Sequence, residues 1–482
     1  LANRKETADA GHDAGFSAQR RRCPPQSRAA KGAEKHQAGF VRKRAAAVAK
    51  LPEFEALREA GRELKNHVLD HLDFYLERFE AKVIESGGQV HWAQDAAEAN
   101  QIVLEICQSV NARRVTKGKS MISEEIGLND FLEAHGIRPV ETDLGEYIIQ
   151  LRHEHPSHII APAVHLNREQ VADAFQAHHA PYGFTERREE PRALMDEARQ
   201  VLRQQFLQAE VGITGANFCI AETGTTVIVT NEGNGDLTQI LPKVHIALAS
   251  IEKVVPTFED VSLLLRLLAR SATGQELSVY TTFSTGPRRA EDADGPEQFH
   301  VVLLDNGRSG MLGGEFQDML RCIRCAACLN HCPVYGAIGG HAYGWVYPGP
   351  MGSVLTPQLI GIEVAGPLPN ASTFCGRCED VCPVHIPLPK MMRHWREQEF
   401  ARHLIPMTTR FGLGLWAFVA RNPKLYRLAA NLGSWLLRRL AGGKGRIRSL
   451  PLARGWTAWR DLPAPQGRTF QQQWAARREH RS

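Results

Sequence analysis

No stretch of this sequence runs to 18 apolar residues, so no transmembrane helix is expected. Cysteine is scarce, 10 in 482 residues, which excludes a small disulfide-stapled scaffold. Also missing are a complete P-loop, a dinucleotide fingerprint and any flavin or nicotinamide motif. No tandem repeat is visible in the α/β part of the chain. The hydrophobic share is 43%, too high for a collagen-like or largely disordered chain, and the length is enough for two or three domains with a real core. Charge nearly vanishes between Cys325 and Gly376, where Glu363 is the only charged side chain. A stretch of that kind, rich in Gly and Pro, suits backbone wrapped closely around a buried group.

The charge that is present is uneven. Residues 1–50 carry 12 basic and 4 acidic side chains, residues 401–482 carry 16 and 2, and the body between them is acidic. Residues 1–38 are polar and lack apolar periodicity, and the chain opens with Leu. They read as a disordered extension or a start-site artefact. Arg20-Arg21-Arg22 is followed by no apolar h-region, which argues against a twin-arginine export signal. Toward the other end, Phe411–Ala420 is apolar for only ten residues before Arg421. Leu425, Leu428, Leu432, Trp435 and Leu436 then recur at helical spacing among Arg427, Arg438 and Arg439. A basic amphipathic segment like this suits an anionic membrane surface or an acidic partner. The plainer expectation is a helix covering the core. Nucleic acid is not an expected partner.

Residues 51–86 read as one long amphipathic helix, with Leu57, Leu64, Val68, Leu72, Tyr75 and Phe79 along one side. Strand candidates follow at Arg114–Thr116, His158–Ala161, Thr225–Thr230, Val244–Leu248, Ser278–Thr282 and His300–Leu304. Helical stretches at Glu124–Ala134, Arg168–Ala177 and Phe258–Leu268 fall between some of them. This alternation predicts an α/β domain with a mainly parallel sheet. The texture changes near 310, and after 383 the chain reads as helical and basic. The expected divisions are the extension at 1–38, a helical part plus α/β domain at 39–308, an α-helical cysteine-bearing domain at 309–400, and a helical extension at 401–482.

Seven of the ten cysteines crowd between Cys322 and Cys382. Such clustering, in a chain that looks cytosolic, points to metal or redox chemistry. Cys322-x2-Cys325-x2-Cys328-x3-Cys332-Pro333 has the spacing of a bacterial ferredoxin's iron–sulfur ligands. Three thiolates two residues apart wrap three corners of one cubane, and the fourth points to another cluster. Zinc sites usually split into two separated pairs, which four cysteines in eleven residues do not. The second half reads Cys375-x2-Cys378-x3-Cys382-Pro383, with Ser372 where a first cysteine would stand. Crossing the fourth cysteines gives one full set, Cys322, Cys325, Cys328 and Cys382. The other set is Cys332, Cys375 and Cys378, with one corner open. Three readings of that corner remain: a [4Fe–4S] cluster with Ser372, another side chain or a small molecule on the fourth iron; a [3Fe–4S] cluster; or completion by a partner. The first is favoured. The 42 residues between Cys332 and Cys375 suit the helical two-cluster domains of redox complexes. Cys23, Cys107 and Cys219 have no partners at ligand spacing and read as bystanders.

The α/β part has unusual polar stretches at Lys117–Ile126, Glu141–Leu151, Gly215–Phe218, Glu222–Asn234 and Leu304–Ser309. Lys117, Lys119 and Lys253 are candidate anion-binding charges. Glu222 and Glu232 are candidate acid–base groups, with capping of strand-end loops the alternative. No catalytic residue is assigned. These stretches, with the cysteine pattern and Trp459-Arg460-Asp461-Leu462-Pro463, resemble the lactate utilization protein B family over residues 39–480. The resemblance implies a LUD domain, similar in fold to ribose-phosphate isomerases and CoA transferases. A two-cluster ferredoxin-type domain and a helical extension would follow it. It implies an iron–sulfur electron-transfer subunit of a complex oxidising L-lactate to pyruvate with two other subunits, and growth on lactate. It also implies two [4Fe–4S] clusters on the seven cysteines, the family likewise lacking the eighth. The expected place is cytoplasmic, or peripheral at the inner face of the membrane with a quinone-linked acceptor. The alternative is a LUD domain that itself binds or transforms a small organic acid with the clusters as acceptors, or a subunit of another 2-hydroxy-acid oxidase. Residues 1–38 extend beyond the family's usual start.

Overall fold

The structure, a computed structural model, describes residues 28–442, 445–450, 453, 457 and 460–479. The extension expected at 1–38 therefore lies mostly outside the described residues, as do Cys23 and Trp459. The chain divides into two compact units, residues 1–397 and 398–482.

Among its described residues the first unit has, with many helices, ten strands: β1 (Gln89–Ala93), β2 (Arg114–Gly118), β3 (Arg138–Glu141), β4 (Val211–Gly215), β5 (Phe218–Ile220), β6 (Thr225–Thr230), β7 (Val244–Ser250), β8 (Val254–Val255), β9 (Tyr280–Ser284) and β10 (Gln298–Leu304). Six of them make a sheet in the order β1-β10-β7-β4-β2-β3, every pairing parallel. A parallel sheet is covered on both faces, which is why β7 is buried at every position. Side-chain alternation sorts that strand between two cores. Ile246 and Leu248 join Val103, Leu104, Leu128 and Leu132 on one face. Ala247 and Ala249 join Leu72, Phe79 and Val83 on the other. The mainly parallel α/β expectation is met.

Beside it is a four-stranded mixed sheet in the order β8-β5-β6-β9, which periodicity did not foretell. Other expectations need correction. Residues 51–86 are two helices, Phe54–Asp70 and Leu72–Glu85, because His71 leaves helical geometry at φ −131° and ψ 37°. The break lets the first helix pack on Phe258–Ala272 and the second on β1. Glu124–Ala134 is likewise split, Gly127 taking the left-handed conformation at φ +65° between Met121–Glu125 and Leu128–Ala134. His158–Ala161 is not a strand. It belongs to a loop whose Ile159 packs in the core while His158 Nε2 bonds the Asn330 amide oxygen at 3.0 Å. The strand expected at Ser278–Thr282 begins two residues later, as β9.

As far as residue 397 the cysteine-bearing segment sits in the first unit, and its described helices are short apart from Gly349–Ile360 and the closing Leu388–Ala401. Its apolar side chains form one continuous core with residues of Phe54–Asp70, β5, β6 and Phe258–Ala272. In the second unit, helices Met407–Arg421 and Pro423–Ala441 pack on each other, and Arg446–Ile447 pairs antiparallel with Leu462–Pro463. Met407–Arg421 buries none of its side chains, with Phe411 75% and Trp416 65% exposed. No described helix is long and apolar enough to cross a membrane.

Candidate functional site

The two cysteine runs share a backbone plan. Arg324 and Ala326 flank Cys325 at φ +59° and +62°, and Phe374 and Gly376 flank Cys375 at +53° and +81°. Left-handed geometry is costly for Arg, Ala and Phe, so surrounding structure must enforce it. A four-residue helix follows each, Ala327–Asn330 and Arg377–Asp380, carrying Cys328 and Cys378. Cys332 Sγ then accepts the Tyr335 amide at 3.5 Å, and Cys382 Sγ accepts the Ile386 amide at 3.4 Å. In this repeat Ser372 corresponds to Cys322. Its Oγ accepts from the Phe374 amide at 3.1 Å.

Thiols from the two runs meet crosswise. Cys322, Cys325, Cys328 and Cys382 line one cavity, otherwise walled largely by apolar side chains such as Ile159, Met319, Met351 and Leu388. Cys332, Cys375 and Cys378 line a second cavity, together with Ser372, Thr373 and His331. Burial pushes the thiols of Cys325 and Cys328 well up, Cys378 to about 12 and Cys382 to about 11. Thiols in such dry surroundings ionise when a metal supplies the compensating charge. The donor set therefore fits iron–sulfur clusters.

Side chains far away in sequence hold this region together. Arg58 donates to the Cys382 carbonyl from Nε at 3.0 Å and Nη2 at 2.7 Å, and to the Asp380 carbonyl at 2.8 Å. Arg44 donates to the Val381 carbonyl at 3.1 Å. On the other side Glu252 pairs with Arg324 and Arg308, each at 3.2 Å, and Arg308 also pairs with Glu125 at 2.7 Å. Opposed by burial but outweighed by these two arginines, the Glu252 carboxyl drops to about 2. Lys65 Nζ donates to the Glu252 carbonyl at 2.5 Å. Sequence reasoning missed Arg44, Arg58 and Lys65. Each sits in a helix where a charged residue reads as solvated, and no local signal marks it.

The α/β candidates fare differently. Glu222 accepts the Phe258 amide at 2.8 Å and so caps helix Phe258–Ala272, rather than a strand-end loop as the alternative had it. Glu232 is exposed and lies 3.6 Å from Lys119. Lys117 is consumed by Glu124 at 2.8 Å and Glu141 at 2.6 Å, and Lys119 pairs with Asp143. Lys253 is buried, which lowers it to about 8. Unforeseen is Glu146, in the first turn of helix Leu144–Leu151. Its Oε2 is buried without a hydrogen-bond partner, and burial, with Asp143 and Glu141 nearby, raises its carboxyl well above the ordinary value. Cys107 and Cys219 are buried far from the other thiols in sequence, and burial pushes each to about 12.

Comparison with known proteins divides the chain in the same order. Residues 76–304 match the LUD domain, 318–386 the 4Fe-4S dicluster domain, and 384–479 the lactate utilisation protein B C-terminal family. A protein named lactate utilization protein B from Shouchella clausii is 46% identical over 435 residues, 89% of this chain and 90% of its own. Its namesake from Geobacillus kaustophilus is 44% identical over 435 residues, 90% of each chain. A protein named uncharacterized electron transport protein YkgF, from Escherichia coli, is 43% identical over 427 residues, 88% of each.

Proposed function

This chain belongs to the lactate utilization protein B family, and from that premise we propose that it is the iron–sulfur electron-transfer subunit of a complex that oxidises L-lactate to pyruvate. The crossed grouping of thiols carries the reading. It supports one [4Fe–4S] cluster on Cys322, Cys325, Cys328 and Cys382. It supports a second on Cys332, Cys375 and Cys378, with Ser372 at the remaining corner. Each cluster supplies reversible one-electron storage. Oxidation of lactate releases two electrons and two protons, so two such centres match the electron count. With no nicotinamide or flavin motif in the sequence, the two-electron step is assigned to one of two partner subunits or to the junction with them.

The chain's own residues do the holding. Arg44 and Arg58 fix the turn at Cys382. Arg324 and its partner Glu252 put charge beside Cys322 within a water-poor shell, and such surroundings tune a cluster's potential. The apolar side chains exposed on the basic helices Met407–Arg421 and Pro423–Ala441 support docking of a partner or of a quinone-bearing inner membrane surface.

Anaerobic purification with iron and sulfide quantified and EPR recorded is the direct test. Roughly eight irons per chain are expected, and both signals should respond to lactate plus partners but not to lactate alone. Clusters that stay oxidised with partners present would favour a structural role. Full lactate turnover by the isolated chain would end the relay-only reading. A second reading, in which the LUD domain binds a small organic acid itself, draws on Glu146 and Lys119. Unchanged turnover of the complex on replacing Glu146 by Gln would remove it.

A further inference from the structure

The loop between helices Leu144–Leu151 and Arg168–His178 lies against the 3-10 turn His341–Tyr343 of the cysteine-bearing segment. Gly340 comes so close that an added Cβ would lie 1.7 Å from the Ser157 carbonyl oxygen. Tyr335 donates its hydroxyl to the same oxygen at 2.8 Å. At this seam Glu154, His165 and His341 converge, all half-buried. One ligand atom from each lies within 4.8 Å of the others.

The hydrogen bonds around the three define which lone pairs are free. His341 Nε2 faces the His155 carbonyl oxygen at 2.7 Å. A carbonyl only accepts, so the proton is on Nε2 and Nδ1 keeps its lone pair. Ser157 donates Oγ–H to the Pro162 carbonyl at 2.9 Å, so Oγ accepts from His165 Nδ1 at 2.8 Å. That leaves His165 Nε2 unprotonated in the neutral ring, 2.7 Å from Glu154 Oε2. Two lone pairs that close need a proton or a metal ion between them. Glu154 Oε1 is meanwhile held by Arg152, from Nε at 3.0 Å and Nη2 at 2.7 Å. Each of the three residues thus has its other polar atom tied by an outer partner, the arrangement that orients metal ligands.

We propose that Glu154, His165 and His341 form a site for one divalent first-row transition metal, which braces the α/β part against the cysteine-bearing segment. Two imidazoles and a carboxylate suit zinc or ferrous iron, and three protein ligands leave a position for water. This site is separate from the thiol cavities and uses no cysteine.

Zinc is the probe, because its absorption edge is distinct from that of cluster iron. The full chain, purified anaerobically with its iron and sulfide intact, is incubated with zinc acetate and desalted. About one zinc per chain is expected, with imidazole and oxygen neighbours and no sulfur in the X-ray absorption spectrum. His341→Ala and Glu154→Gln should each bind zinc at least tenfold more weakly with iron and sulfide unchanged. Ser157→Ala, which removes the outer partner of His165 together with the hydroxyl's bond to the Pro162 carbonyl but no metal ligand, should weaken it by about 10- to 100-fold. Absence of retained zinc, sulfur ligation, or undiminished binding by either ligand variant would overturn the site. In the first case a bridging proton alone explains the contact. Should His341→Ala lose iron as well, Glu154→Gln decides by the same measure.

Discussion

Ser372 stands where the repeated backbone would otherwise supply an eighth thiol, and its hydroxyl is turned onto the Phe374 amide beside Cys375. Replacing it with Cys should leave the iron count near eight, shift the midpoint potential of the second cluster and spare that of the first. Redox-titrated EPR reads both. A gain of about one iron would instead indicate a three-iron cluster in the parent, and an unmoved potential would place Ser372 outside the ligand sphere. Glu146 makes a second prediction at this scale. Burial raises its carboxyl, so the folded protein keeps a proton that the unfolded chain releases at the ordinary value. Its contribution is therefore present below that value and lost as pH rises toward the raised one. Thermal unfolding should show wild-type stability falling more steeply than that of Glu146→Gln as pH rises above the ordinary carboxyl range. Equal slopes would mean that Glu146 is ionised throughout.

At the scale of elements, the contacts that matter join pieces far apart in sequence. Helix Phe54–Asp70 reaches the Cys382 turn through Arg58, and the loop bearing Ser157 meets Gly340. A methyl at 340 would overlap the Ser157 carbonyl, so Gly340→Ala should destabilise the protein by roughly 1–3 kcal/mol or more in urea unfolding. An unchanged midpoint would show that the seam yields freely. Strands buried on both faces, β6, β7 and β10, were legible because an apolar β-branched run has few other uses. His158–Ala161 has the same texture but serves a loop, since what its apolar side chains meet is set by the distant cysteine-bearing segment. The two broken helices show the same limit. Amphipathic periodicity runs through His71 and Gly127, and only the need to pack on two different surfaces breaks it.

For the whole molecule, the first unit contains the sheet and all seven clustered cysteines. The second holds two mutually packed basic helices with apolar side chains left outward. Ending the chain at Ala401, the last residue of helix Leu388–Ala401, should leave iron content and unfolding temperature close to those of the full protein. It should abolish partner-dependent reduction by lactate. Loss of iron from the truncated chain would show that the second unit supports the clusters, and intact reduction would remove it from docking.

Sequence by itself determined the iron–sulfur character, because that signal rests on local spacing: cysteines separated by two and three residues, each run closed by Pro, form a pattern suited to bending a chain around a group of fixed size. It determined the α/β character for a similar reason, periodicity being local. Tertiary structure alone decided the rest. Lys117 became an ion-pair partner and Glu222 a helix cap, while Glu146, which nothing local distinguishes, became a buried carboxyl whose Oε2 has no hydrogen-bond partner. Arg58 and His341 acquired their surroundings from residues 324 and 186 positions away. Those surroundings depend on desolvation and on neighbours brought together by folding, and neither is written in the order of nearby residues.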